Sequence, residues 1–137
     1  MAANTSPIFV RAVRNAGISS GTSANTNKDG TGSVVTVFTA DATNGSKIEK
    51  VRLTHMGTNV ATVVRFFVNN GSSNGTATNN WLVKEVTMAA NTNSEVAAST
   101  AVEVALDLVL PAGYKLNATI GTAIAAGIML VAEGGDY

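Results

Sequence analysis

The alternation of apolar and polar positions along this chain is strongest between residues 101 and 120. Val102, Val104, Leu106, Leu108 and Leu110 share one parity, while Ala101, Glu103, Ala105 and Asp107 share the other. Side chains alternate faces along a strand, so this run presents one apolar wall and one wet wall. Pro111-Ala112-Gly113 interrupts it with turn chemistry, a fixed φ followed by a residue free to take a positive one. Alternation then resumes, with Tyr114, Leu116, Ala118 and Ile120 set against Lys115, Asn117 and Thr119. The pattern predicts a β-hairpin over 101–120 with both apolar faces on one side. An isolated hairpin is marginal in water, so the rest of the chain must supply a second apolar wall.

Taken in order, residues 7–14 (PIFVRAVR) read as a first strand, behind an extended segment at 1–6. Residues 15–32 form a long connection of Gly, Ser, Thr and Asn with Ile18 its only large apolar residue, expected to lie across a neighbouring surface. Residues 33–39 (SVVTVFT), 47–56 (KIEKVRLTHM) and 60–69 (VATVVRFFVN) read as the second, third and fourth strands. The fourth is apolar on both faces, Val63 and Phe67 against Val64, Phe66 and Val68, which predicts a central position covered on both sides. A second polar loop at 69–80 leads to a fifth strand at 81–88, and a third polar connection at 89–100 leads to the hairpin. After a bend at 121–127, residues 128–133 (IMLVAE) make the eighth strand. No segment sustains a helical period. The fold expected is a single all-β domain over 1–137, an eight-stranded antiparallel β-sandwich, jelly-roll-like, with an immunoglobulin-like Greek key as its rival.

Composition sharpens this picture. The chain has 137 residues, of which 45% are hydrophobic and only 13% charged, so its wet faces must come from Thr, Asn, Ser and Gly. Formal net charge is zero and the basic residues are scattered, which argues against nucleic acid or an anionic membrane as partner. There is no cysteine, so a disulfide framework and a Cys-ligated metal site are excluded. The start, MAANTSPIF, lacks the basic and long apolar segments of a signal peptide. The longest apolar run, broken by Gly121, Thr122 and Gly127, is far short of a membrane span.

Candidate chemistry is sparse. His55 is the single histidine, with no nucleophile motif beside it, and is expected to have a structural or surface role. Asn25-x-Asn27-x-Asp29-Gly30 resembles the opening of a calcium-binding loop, but position twelve is Thr36 instead of Glu; a plain turn is the preferred expectation. Asp29, Asp41, Glu103 and Asp107 show no spacing that suggests paired acid–base work, and Gly30-x-Gly32 lacks the rest of a dinucleotide fingerprint. Trp81, Tyr114, Phe66 and Phe67 offer a stacking platform for a sugar or base, with core packing the stronger expectation for Phe67. Asn-x-Ser/Thr triplets at Asn44, Asn70, Asn74 and Asn117 are of the number expected by chance. No catalytic, cofactor-binding or metal-ligating residue is expected, and the chain is not expected to be an enzyme.

Two stretches together, DGTGSVVTVFTADATNGSKIEKVRLTHMGTNVATVVRFFVNNG (29–71) and LPAGYKLNATIGTAIAAGIMLVAEGGDY (110–137), resemble small virion proteins of tailed bacteriophages, in particular capsid decoration (cement) proteins. The resemblance covers about half of the chain and rests on strand and turn motifs. It implies a small β-sandwich made in the host cytoplasm and bound to the outside of an icosahedral head. There it would sit as homotrimers at local three-fold positions, with the major capsid protein as partner, reinforcing the shell. It implies no cofactor and carries no catalytic residues. The loops at 15–32 and 69–80, and the N-terminal segment, are the expected contact elements. Val64 and Phe66 lie on a second apolar face that a neighbouring subunit would cover if the opposing sheet does not. The alternative is a tail-fibre or tail-tip domain that binds host glycan, through Trp81 first and loop amides, or a partner virion protein.

Overall fold

Apolar alternation dictates which residues turn inward, and long-range pairing then decides which strands lie side by side. In the computed structural model, which describes residues 10–137, eight strands form two antiparallel sheets. They are β1 (Ala12–Ser19), β2 (Val35–Thr39), β3 (Ser46–His55), β4 (Thr62–Asn69), β5 (Asn80–Met88), β6 (Ala101–Leu110), β7 (Lys115–Ile120) and β8 (Ile128–Asp136). A single turn of 3-10 helix, Ala77–Asn79, is the only helical element among the described residues. Sheet 1 has the order β1-β8-β3-β6 and sheet 2 the order β2-β7-β4-β5.

Only the β4–β5 connection joins sheet neighbours; each of the others carries the chain from one sheet to the other. This double Greek-key winding is a jelly roll. It excludes the immunoglobulin-like rival, in which the first two strands share a sheet. The inward residues, among them Phe38, Ile48, Val51, Leu53, Val64, Phe66, Leu110, Leu116, Ile120, Ile128 and Leu130, form one continuous core.

The parity read from 101–110 is correct, since Val104 and Leu110 are buried while Ala101, Glu103, Ala105 and Asp107 are exposed. The expected hairpin is not. β6 pairs with β3, whereas β7 sits between β2 and β4, so the two arms lie in opposite sheets. Pro111–Gly113 is an arch across the sandwich, with Gly113 at φ 75° and its N–H donating to the Asp41 carbonyl at 3.1 Å. The strand that meets β6 across the sandwich is β5, the corresponding edge of sheet 2. Alternation specifies facing, and it is silent on which strand lies alongside.

The first strand also departs from expectation. Of the expected strand at 7–14, residues 7–9 and the extended segment 1–6 lie outside the described residues, and β1 runs over Ala12–Ser19. Ile18, assigned to a loop by composition, is therefore paired with Leu130. β1 is an edge strand held by a backbone ladder to β8, so Asn15 and Gly17 are tolerated where a two-sided apolar pattern would have been legible.

A bulge explains a break of pattern in β3. Ser46 and Ile48 face inward, and so do Val51, Leu53 and His55, so the parity flips near Glu49. There the register steps from Ile48↔Gly134 to Lys50↔Glu133 on one side and from Ile48↔Leu108 to Lys50↔Ala105 on the other. Asp107 lies in the irregular part of β6 at φ 47°, a left-handed conformation that Asp tolerates better than bulkier residues.

Leu53 is fully buried at the centre of sheet 1, whereas Leu106 is half-buried on the edge strand β6. Leu53→Ala is expected to cost about 2–5 kcal/mol and Leu106→Ala clearly less, as measured by urea denaturation. Equal losses would place β6 in a more enclosed position than the edge.

Candidate functional site

The outer face of sheet 2 is unusual because it is buried. On β4 and β7 the side chains of Arg65, Phe67, Asn69, Asn117 and Thr119 all point away from the core, yet none is exposed. The cover comes from the β1–β2 connection, residues 20–34, which folds back across this sheet as expected for the long polar loop. Its Asn25 N–H donates to the Ile120 carbonyl at 2.8 Å, and the Ile124 N–H donates to the Thr22 carbonyl at 3.0 Å. Gly30, at φ 79°, lies so close that an added Cβ would stand 2.6 Å from Asn80 Cβ and 3.1 Å from the Phe67 ring. Val64 and Phe66 face the core and are fully buried within the chain, so the second apolar face of β4 is that of Phe67 and it is covered by the loop.

The loops are braced by side-chain amides. Asn25 Nδ2 donates to the Thr31 and Ser33 carbonyls at 2.9 and 2.8 Å, and its Oδ1 accepts from the Asn27 N–H. Asp29 Oδ1 accepts from both the hydroxyl and the N–H of Thr31. Asn25 Oδ1 and Asp29 Oδ1, two oxygens of the calcium-like pattern, are thus engaged within the loop itself. The β4–β5 loop is built the same way. Asn69 Nδ2 donates to Asn80 Oδ1 at 2.8 Å, Asn80 Nδ2 to the Asn74 carbonyl at 2.9 Å, and Asn70 Nδ2 to Asn79 Oδ1 at 3.1 Å. Asn74 Nδ2 then reaches the Gly32 carbonyl at 2.8 Å and locks one loop to the other. Between them lies an open polar cleft of about 270 Å³, lined by Thr36, Asn69, Ser72, Asn74, Lys115 and Asn117.

His55 lies at the end of the sandwich where β3 meets the β3–β4 connection, and it is buried. Asn59 Nδ2 donates to His55 Nδ1 at 3.0 Å, which leaves the ring proton on Nε2 to donate to the Ala89 carbonyl at 2.9 Å. Asn59 and Asn91 exchange backbone hydrogen bonds, both at 2.9 Å, and Asn59 Oδ1 accepts from the Ala126 N–H. This polar knot ties three connections together and presents no nucleophile.

The remaining candidates scatter. Asp41 caps the β2–β3 turn by accepting from the N–H groups of Thr43 and Asn44. Glu103 belongs to a surface network on sheet 1, where Lys50 and Arg52 each bridge Glu103 and Glu133 at 3.0–3.5 Å. Asp107 approaches Lys47 at 4.0 Å. Asn117 is buried and accepts from the Thr36 hydroxyl, which removes it as a glycan acceptor. Of the four aromatic candidates, Phe66 and Phe67 are buried on opposite faces of β4. Trp81 and Tyr114 come together, with rings 6.3 Å apart and 6° from parallel, and Trp81 remains 47% exposed. Among the described residues no three His, Asp or Glu side chains converge as metal ligands.

Sequence reasoning missed the cross-strand pair Arg65–Glu85, at 2.7 Å, which lies beneath the same covered face. The two residues are opposite each other in the β4–β5 register, a relation that charge spacing alone does not reveal.

No protein-family model matches the chain, and no curated protein matches it. Among solved structures, a mutant VP2 protein of infectious bursal disease virus is similar over 96% of this chain and 36% of that one, at 17% identity and a TM-score of 0.35. A structure of the Gt strain of the same virus is similar over the same shares, at 14% identity and a TM-score of 0.33. The chain thus spans about a third of the length of these neighbours. At such scores the likeness carries no weight of its own.

Asn80 is buried and anchors the braced loops from both ends of its amide. Asn80→Ala is expected to cost about 1–3 kcal/mol by leaving the buried Asn69 Nδ2 unpaired, and to speed proteolytic cleavage within 70–79. A loop as resistant as the parent's would show the brace to be idle. The carboxyls of Asp29 and Asp41 lie below the ordinary 3.8, Asp29 chiefly through the Thr31 hydroxyl and Asp41 chiefly through the Asn44 N–H. Because the folded values are depressed, their contribution is present above 3.8 and is lost as pH falls through the lowered values. The double variant Asp29→Asn, Asp41→Asn is expected to show a shallower acid loss of stability, read from urea midpoints across that window.

Proposed function

We propose that this chain is a non-catalytic virion protein that decorates the outside of a tailed-phage head and reinforces the shell, docking as a homotrimer or another small cyclic oligomer on the major capsid protein. The observation that carries this reading is the covered face of sheet 2. Two long loops that composition alone would leave mobile are cross-braced into a stiff, nearly uncharged platform. A cement protein needs such a surface, because rigid patches that touch several capsomers at once hold strongly even when each is weak. The phage-like stretches 29–71 and 110–137 contain β2, β3, β4, β7 and β8, which include every inner strand of both sheets. The resemblance therefore lies in the framework that positions the loops. The three-fold choice comes from that resemblance, and the virion location with it.

One observation favours a second reading. Trp81, half-exposed and stacked on Tyr114, is a preorganised flat face of the kind that sugars stack upon, as a tail-fibre or tail-tip domain would use for host glycan.

Purified protein mixed with empty, undecorated heads separates the two. Saturable binding in fixed ratio to capsid protein, weakened by Asn74→Ala or Asn80→Ala and indifferent to Trp81→Ala, is expected. Binding to cell-surface glycan that Trp81→Ala abolishes, with none to heads, would replace the decoration reading by the second.

A further inference from the structure

Each four-stranded sheet has two edges, and the four edge strands are not equivalent. β2 is five residues long and its register with β7 is broken between Thr36 and Phe38. β5 is displaced against β4 between Phe66 and Phe67, and β6 is displaced against β3 beside Asp107. Bulges and charges of this kind blunt an edge against pairing with other chains. β1 has neither defence. Its eight residues run in unbroken register with β8 from Ala12↔Asp136 to Ser19↔Met129. Its one charge, Arg14, is turned inward, bound to Asp136 and the Thr39 carbonyl and lying over the Phe38 ring.

The direction of the free groups follows from the ladder. The Ser20 N–H donates to the Ile128 carbonyl, continuing the β1–β8 register, so the even-numbered residues of β1 direct their backbone groups at β8. Val13, Asn15 and Gly17 direct theirs to the opposite side, where no described residue pairs with them.

We infer that this edge pairs with the same edge of a second copy, antiparallel about a two-fold axis at Asn15. That register sets Asn15 opposite its symmetry mate and Val13 opposite Gly17, so about six backbone hydrogen bonds close at once. The side chains agree with it. Val13 is 87% exposed, on the outer face of sheet 1, among the described residues. Gly17 leaves an open notch on that face, bordered by Val131 Cγ2 and Met129 Sδ at 3.7 and 3.9 Å from where a Cβ would stand. The partner's Val13 projects over that notch. The two Arg14 side chains stand opposite the two Ala16 residues, so no like charges meet. The result is a continuous eight-stranded sheet, and it does not depend on the decoration reading.

The test is light scattering of the purified protein in a dilution series up to about 1 mM, since an edge contact of this size belongs to the weak class. Apparent mass is expected to climb from 13.9 kDa toward twice that value. Asn15→Pro removes only an outward N–H, leaves the β1–β8 ladder intact and is expected to stay monomeric with an unchanged melt. Val13→Asp supplies a second variant that keeps the backbone and is expected to stay monomeric too. A mass that never departs from the monomer overturns the pairing. So does association that survives both variants, and a trimeric mass that survives them would leave the decoration reading standing without this contact.

Discussion

β4 and β7 are buried on both faces, and most of the molecule's organisation follows from that constraint. Phe66 and Phe67 are adjacent, point in opposite directions and are each essentially inaccessible to water. A sandwich covers only one face of each sheet, so the second must be covered by something that is not a strand. Here the covering element is a polar loop, and a polar loop laid on a sheet must satisfy its own amides and those of the face beneath. Asparagine meets both needs because one side chain both donates and accepts. Asn25, Asn69, Asn74 and Asn80 perform that task in turn. The low charge and high Asn content are therefore part of one structural solution.

Much of this was legible in the sequence, and what was hidden shares a physical cause. Two-sided apolarity at 62–69 correctly placed β4 at the centre of its sheet, and the alternation at 101–110 named the inward residues. Both are local signals, determined by which way consecutive side chains point. Partner choice is not local. The arch at Pro111–Gly113 and the turn of a hairpin use the same residue types, and only the competition of β3 for β6, and of β2 and β4 for β7, separates them. β1 was misplaced because an edge strand held by its backbone needs little apolar pattern. The bulge near Glu49 was hidden because it is defined by two neighbours at once.

The candidate site shows the same division. Asn and Gly at 25–32 and 69–80 marked loops, correctly, and Gly30 marked a tight place. That Asn74 holds the other loop through Gly32, 42 residues away, has no local signature. Nor does the joining of Trp81 with Tyr114, which belong to β5 and the arch. His55 was expected in a structural or surface role, and the structure buries it, its ring held from both nitrogens in a polar knot.

The pairing of β1 with β8 also sets a clock for the chain. Ala12–Ser19 is synthesised about a hundred residues before its ladder partner, Ile128–Asp136. β3 likewise lies between β6 and β8, both of which come far later. Sheet 1 therefore cannot form progressively during synthesis, because β1 waits for about a hundred further residues, and β3 for about 45, before a neighbour arrives. The one connection that closes locally, β4–β5, is the only piece of sheet able to form in passing.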